Sequence, residues 1–179
     1  MIALRGSMAA AAREDDPIAA LLDCHARIRH FSAMARRLVE LPDAPAADRA
    51  DAATRVHRYF AVGLGLHVDD EDDSLSPRLA PRADANLRRT LDDLTRQHRS
   101  MEPIVARLLP GWKALGTPIE ARPILESMGR DTLTLESMLL AHLAQEEEAV
   151  FPQMPRLLSR ETLGEIRAEM RARRGPESD

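Results

Sequence analysis

The feature that most constrains this chain is a set of four long segments in which apolar residues recur every three or four positions. The third segment is the clearest, with apolar positions at Leu87, Leu91, Leu94, Met101, Val105 and Leu108. This spacing places the apolar residues along one face of a helix. Four such faces can be buried only against one another, so we expect an antiparallel up-down four-helix bundle.

Capping residues and helix breakers predict five helices, at about 16–41, 48–72, 86–110, 118–150 and 159–175. Asp16-Pro17 and Ser159 are helix-start signals, whereas Pro110-Gly111 predicts the end of the third helix. No segment shows the alternation of a strand. The predicted fold is therefore all-α: a flexible N-terminal segment (1–15), then one four-helix domain with a short C-terminal fifth helix (16–175).

The bulk composition excludes several classes of function. The 179 residues have a formal charge of −4 with acidic and basic residues interspersed, which does not provide a basic surface for nucleic acid. No apolar run approaches the ~20 residues of a membrane span, and the first residues do not resemble a secretory signal. Cys24 is the single cysteine and is expected to be a small buried residue. We expect a cytoplasmic protein that binds neither membrane nor nucleic acid.

Each long segment places one histidine on its apolar face: His25, His67, His98 and His142. One such histidine is more often a core residue with hydrogen-bonded nitrogens than a metal ligand. Four of them on four helices can meet at one level of a bundle, which favours a metal site.

Two of these histidines have a glutamate four residues later, in His67-Val-Asp-Asp-Glu71 and His142-Leu-Ala-Gln-Glu146. That spacing puts ring and carboxylate on the same helix face, about 6 Å of rise apart. Two buried carboxylates would repel each other and lose their hydration, so they need a compensating cation. Four neutral imidazoles and two carboxylates suit a pair of metal ions, and iron, manganese and zinc all accept these ligands.

In this order, the His25, HVDDE, His98 and HLAQE motifs resemble the hemerythrin-like family, the HHE cation-binding domain, from Asp16 to about Leu158. The resemblance implies two iron ions, bridged by oxide or hydroxide and by the carboxylates of Glu71 and Glu146. It assigns His25 and His67 to one iron, and His98 and His142 to the other.

Oxygen-carrying members of that family have a further histidine where this chain has Glu102, which is either an extra ligand or a solvated residue. We therefore expect reaction with a small oxidant (oxygen, peroxide or nitric oxide) rather than reversible oxygen carriage. One alternative is a non-enzymatic iron or oxygen sensor acting through an unknown redox or regulatory protein partner. A metal-free or zinc-stabilised scaffold is the other.

Two acidic tracts, at 69–73 and 146–148, end the second and fourth predicted helices. Most of their side chains are expected in solvent. We also consider that Asp69, Asp70, Asp72 and Asp73 attract incoming cations.

Overall fold

The computed structural model describes residues 15–175, and all regular structure in that range is helical, which confirms the all-α prediction. The first bundle helix is α1 (Pro17–Glu40). The second contains, in order, α2 (Ala46–Arg58), a π-helical turn (Tyr59–Gly63), α3 (Leu64–Asp69), a π-helical turn (Asp70–Leu75), α4 (Ser76–Leu79) and a 3-10 turn (Ala80–Arg82).

The third bundle helix is α5 (Ala85–Leu115). The fourth contains α6 (Arg122–Gln145), a π-helical turn (Glu146–Val150), a 3-10 turn (Phe151–Gln153) and α7 (Met154–Leu157). A separate fifth helix, α8 (Arg160–Arg174), follows. The first helix packs on the second and fourth, and the third also packs on the second and fourth, which closes the bundle.

Asp16 and Ser159 cap their helices as predicted, since Asp16 Oδ1 accepts from the Ile18 amide at 2.9 Å and Ser159 Oγ accepts from the Thr162 amide at 3.1 Å. The segment predicted to be flexible, 1–15, lies outside the described residues apart from Asp15.

The predicted end of the third helix at Pro110-Gly111 is wrong, because α5 continues to Leu115. Burial outweighs the breaker signal: Trp112 and Leu115 are 0% and 1% exposed in the core. Glycine at position 111 has a packing reason, since a Cβ there would clash with Met128 Sδ of α6. Two further boundaries differ: the second bundle helix continues past Asp72, and the fourth begins at Arg122 rather than near residue 118.

Buried apolar residues form two clusters at different levels of the bundle. One contains Ile28, Met101 and Leu139, and the other contains Leu21 and Leu94. His25 lies in α1 between Leu21 and Ile28, and His98 lies in α5 between Leu94 and Met101. The predicted ligands therefore lie at the boundary between the two apolar clusters. No described helix is long and apolar enough to cross a bilayer.

The fifth helix is held to the bundle by a buried ion pair. The Asp70 side chain is 0% exposed and accepts from Arg173 at 3.1 Å and from Arg174 at 2.6 Å. Arg173 also donates to Ser74 at 2.8 Å. The end of α8 is thereby fixed to the π-helical turn at Asp70–Leu75.

We expect the double substitution Arg173→Met and Arg174→Met to lower the free energy of unfolding by about 3 kcal/mol, because it leaves the Asp70 carboxylate buried without a partner. Denaturant unfolding monitored by circular dichroism measures the change. Arg55→Met is the control, since Arg55 pairs with Asp51 at 3.7 Å on the surface and should cost less than about 1 kcal/mol. Equal losses in the two proteins would contradict the assignment.

Candidate metal centre

The structure brings six predicted ligand side chains together in the bundle interior. They form two groups of four, within each of which the candidate ligand atoms lie within 4.8 Å of one another. Both groups include Glu71 and Glu146; the first adds His25 and His67, and the second adds His98 and His142. The most exposed of the six, His98, is only 7% exposed.

Glu71 lies between the two histidine pairs, with one carboxylate oxygen directed to each. Its Oε1 is 3.2 Å from His67 Nε2 and 3.9 Å from His25 Nε2. Its Oε2 is 3.3 Å from His98 Nε2 and 3.9 Å from His142 Nε2. A carboxylate in this position can bind one cation through each oxygen.

Glu146 also contacts a histidine of each pair, through a single oxygen. Its Oε2 lies 3.2 Å from His25 Nε2 and 3.4 Å from His142 Nε2. The two glutamates are therefore shared, whereas each histidine belongs to one group.

Both shared glutamates lie in π-helical turns, Glu71 in Asp70–Leu75 and Glu146 in Glu146–Val150. π-helical turns are rare and are frequent at functional sites, because the extra residue displaces side chains relative to an α-helix. The four-residue spacing predicted a shared helix face, but nothing in the sequence predicted these turns.

The buried polar atoms of the site test whether it suits a metal. His25 Nε2, His67 Nε2, both oxygens of Glu71 and Glu146 Oε2 lack a hydrogen-bond partner. Buried polar atoms nearly always have a hydrogen-bond partner, so these unpaired atoms, which converge on one point, need a partner of another kind. Divalent or trivalent cations satisfy imidazole nitrogens and carboxylate oxygens together. The donor set therefore fits metal ions.

A distance within the second group agrees with this. His98 Nε2 and His142 Nε2 are 3.0 Å apart. Two imidazoles bound to one ion at about 2.1 Å and at a right angle would have their nitrogens about 3.0 Å apart.

Without metal, the carboxylates and imidazoles affect one another's charge. Burial raises the pKa of Glu146 to about 8, and the charge of Glu71 adds to that rise. Burial lowers the pKa of His67 to about 4, which keeps this ring neutral. For His25, burial opposes protonation, but its contacts with Glu146 and Glu71 raise its pKa to about 10. Protons thus supply part of the positive charge that these carboxylates need.

Three of the histidines are oriented by hydrogen bonds at Nδ1, the ring nitrogen opposite the site. His25 Nδ1 lies 2.8 Å from Glu147 Oε1, and Arg29 also donates to Glu147. Such partners hold a ligating ring in place and fix its tautomer.

The other two oriented rings face polar side chains of neighbouring elements. His98 Nδ1 is 3.2 Å from Asp72 Oδ1, and His142 Nδ1 is 2.9 Å from Gln97 Oε1. Gln97 and Gln145 are themselves joined at 2.8 Å. The roles of Glu147, Asp72 and Gln97 were not predicted from the sequence, because each contacts a histidine on a different bundle helix.

The acidic tracts differ from the expectation in part. Asp70 is buried against α8, so the prediction of a solvated carboxylate is wrong there, whereas Asp72 contacts His98 and remains 32% exposed. Asp69 and Asp73 are exposed as expected. Glu102, the possible extra ligand, is exposed and lies outside both groups.

Cys24 is buried as predicted, at 5% exposure. It also has polar neighbours that were not predicted, since Arg27 donates to its sulfur at 3.2 Å and Arg174 at 3.7 Å.

The metal-free protein should lose stability as the pH rises from about 6.5 to about 8; below pH 6.5 the lowered pKa of His67 opposes the effect of Glu146. The folded pKa of Glu146 is about 8 against an ordinary value of 4.5, so the folded state binds more protons in that window. Glu146→Gln should reduce this fall, and Glu148→Gln, at an exposed neighbour, should not. Denaturation midpoints measured across the window after chelation test this; parallel curves for all three proteins would contradict it.

Replacing Glu147 with Leu should weaken metal retention by about 10- to 100-fold, because it removes the partner that orients His25. Competition with a chelator measures the loss. Glu148→Leu makes the same change at an exposed position and should retain metal as the original chain does. If both variants retain metal equally well in this competition, Glu147 does not orient His25.

Comparison with known proteins agrees with this geometry. The family model for the hemerythrin HHE cation binding domain matches residues 16–154. No match is found among curated proteins. The matched region contains all six converging side chains but ends before α8. The fifth helix, including the two arginines that pair with Asp70, therefore lies beyond the matched residues. The family model covers most of the chain, and the protein belongs to the hemerythrin HHE cation-binding family.

Proposed function

We propose that this protein holds two iron ions and uses them to bind or react with a small oxidant: oxygen, peroxide or nitric oxide. His25 and His67 would bind one ion and His98 and His142 the other, with Glu71 and Glu146 bound to both. An oxide or hydroxide would complete the bridge.

The observation that supports the proposal is the overlap of the two ligand groups. Each has four candidate ligands, and Glu71 and Glu146 belong to both. A single ion would leave two imidazoles without a partner. Among the six side chains only the two carboxylates are charged, because the imidazoles are neutral ligands. The carboxylates balance only part of the positive charge of two ions, so an anionic bridge would also be favourable.

A pair of iron ions supplies redox chemistry, since each ion can give up one electron to a bound oxidant. The chain's own residues prepare the surroundings. Glu147, Asp72 and Gln97 hold three of the rings in place, and buried apolar side chains above and below the site exclude water. An apolar cavity borders His67, His98 and His142, and it gives an oxidant a route to the site.

Freshly purified protein should contain two irons per chain and absorb in the near ultraviolet as an oxo-bridged pair does. Glu71→Ala should lose both irons, because each ion would lose a shared ligand. Glu102→Ala should keep two, since Glu102 is outside both groups. Metal analysis with the absorption spectrum measures both. A protein without iron that remains fully folded would favour the scaffold hypothesis.

Reaction with an oxidant is tested by mixing the reduced, iron-loaded protein with peroxide or nitric oxide. Repeated consumption with an added electron donor would support the proposal. An iron-loaded protein that neither binds nor consumes oxygen, peroxide or nitric oxide would refute it.

A sensor role is the second candidate, and one contact favours it. Asp70, the neighbour of Glu71, anchors the fifth helix through Arg173 and Arg174. A change in metal occupancy that moves Glu71 would therefore act directly on α8. Metal-dependent hydrogen exchange in 160–174, without oxidant turnover, would support this role over the first.

A further inference from the structure

The cavity beside the site has a volume of about 450 Å³ and is lined by His67, His98 and His142. Its buried wall is apolar and includes Ile28, Phe60, Leu64, Met101, Val105 and Leu139. At about 30 Å³ per water, a divalent ion with six water molecules needs about 180 Å³. The cavity therefore has room for a metal ion that still carries its water.

Three carboxylates also line the cavity, and each lies within four residues of a candidate ligand: Asp69, Asp72 and Glu102. Four residues of a helix correspond to about 6 Å of rise, or about one turn. The negative charge is therefore gathered at the end of the cavity that adjoins the ligands, away from most of the apolar wall.

The exposure of these side chains decreases towards the site. Asp69 and Glu102 are exposed, and neither makes an ion pair or hydrogen bond through its side chain in the described part of the protein. Further in, the side chain of Asp72 is 32% exposed and that of His98 is 5% exposed. Asp72 Oδ1 lies 3.2 Å from His98 Nδ1, so the innermost of the three carboxylates touches a candidate ligand.

The three carboxylates do not form a metal site of their own. Among the described residues, the groups whose ligand atoms are near enough to share an ion contain none of them. A cation would therefore be attracted to the cavity without being trapped there. This arrangement suits passage of an ion rather than its storage.

The approach to the site past His25 has a different charge. Glu147 faces His25 and is partly exposed, but both of its oxygens accept from Arg29, at 2.9 and 3.0 Å. A cation approaching there would meet the guanidinium of Arg29. At the cavity, three carboxylates stand against one guanidinium, that of Arg99. Electrostatic attraction therefore favours the cavity as the way in for a cation.

We propose that divalent metal ions reach the buried centre through this cavity, attracted by Asp69 and Glu102 at its mouth and guided inward by Asp72. The inference rests on the metal-binding role proposed for the six converging side chains, but not on which divalent ion they hold. It gives Glu102 a role in the rate of metal uptake and none in the retention of metal.

The test follows uptake of Fe²⁺ by the metal-free full chain, mixed anaerobically at low ionic strength; unbound iron is removed at intervals and bound iron is counted. The double substitution Asp69→Asn and Glu102→Gln should slow uptake by about fivefold, because it weakens the attraction of a dication. The final iron content should not change, since neither residue is in a ligand group. The difference should largely disappear in about 1 M salt, where the Debye length is about 3 Å.

The double substitution Asp73→Asn and Glu148→Gln is the matched control. It removes the same charge from two exposed positions that do not line the cavity, and it should take up iron at the rate of the unsubstituted chain. Arg99→Gln removes the guanidinium at the mouth and should speed uptake by about twofold.

A larger side chain at the mouth tests the route without a change of charge. Gly65 is exposed and lines the cavity, and nothing lies within 4 Å of the position that its Cβ would occupy. Gly65→Leu should slow uptake by at least about threefold at both low and high salt, because obstruction is not screened. Gly129→Leu changes another helical glycine with open space around it, away from the cavity, and should not slow uptake.

Equal rates in the two double variants, or unchanged uptake in Gly65→Leu, would overturn the inference. The series is repeated with Zn²⁺, which accepts the same ligands. A chain whose variants show these differences with Zn²⁺ but which retains no iron would refute the di-iron proposal and support the route. A chain that fills with two irons at one rate in every variant would do the reverse. Uptake of neither ion would overturn both.

Discussion

Two glutamates in an apolar interior are the constraint on which the rest of this structure depends. Glu71 and Glu146 are 2% and 3% exposed, and each faces imidazoles rather than arginine or lysine side chains. An ionised carboxylate in such a place costs several kcal/mol unless positive charge is supplied. Four imidazoles directed at the same point can supply it only as protonated rings or as ligands of a cation. The arrangement therefore makes folding and metal binding parts of one equilibrium.

The geometry around these carboxylates is the support for our proposal of two ions rather than one. Glu71 directs one oxygen to each histidine pair, and Glu146 reaches both pairs through one oxygen. The apolar clusters on either side then isolate the pair of groups from water, and water exclusion strengthens each charge interaction. Polar partners at Nδ1 fix three rings, whereas Nδ1 of His67 is buried without a hydrogen bond. The cavity beside the site is lined by His67, His98 and His142.

The fifth helix adds a feature that the bundle alone does not have. It lies beyond the residues matched by the family model, yet its last turn binds Asp70, the neighbour of the candidate ligand Glu71, and contacts Cys24, the neighbour of His25. Two chain segments that contain candidate ligands are therefore in contact with the same side chain of α8, Arg174. Each of these contacts is one residue away from a candidate ligand.

The sequence by itself determined the all-helical bundle and the identity of the six converging side chains. Apolar positions every three or four residues define a buried helix face, and a histidine or a His-x-x-x-Glu pair on that face can only point into the core. Other features were decided by the tertiary structure, because they depend on contacts between residues far apart in the chain. Glu147 orients His25 from the fourth bundle helix, across 122 residues of sequence. Trp112 continues the third helix past a proline because its burial outweighs the breaker, and Asp70 is buried rather than solvated because two arginines from α8 neutralise it. Local spacing can specify a face, but the partner that meets it is chosen only when the helices pack.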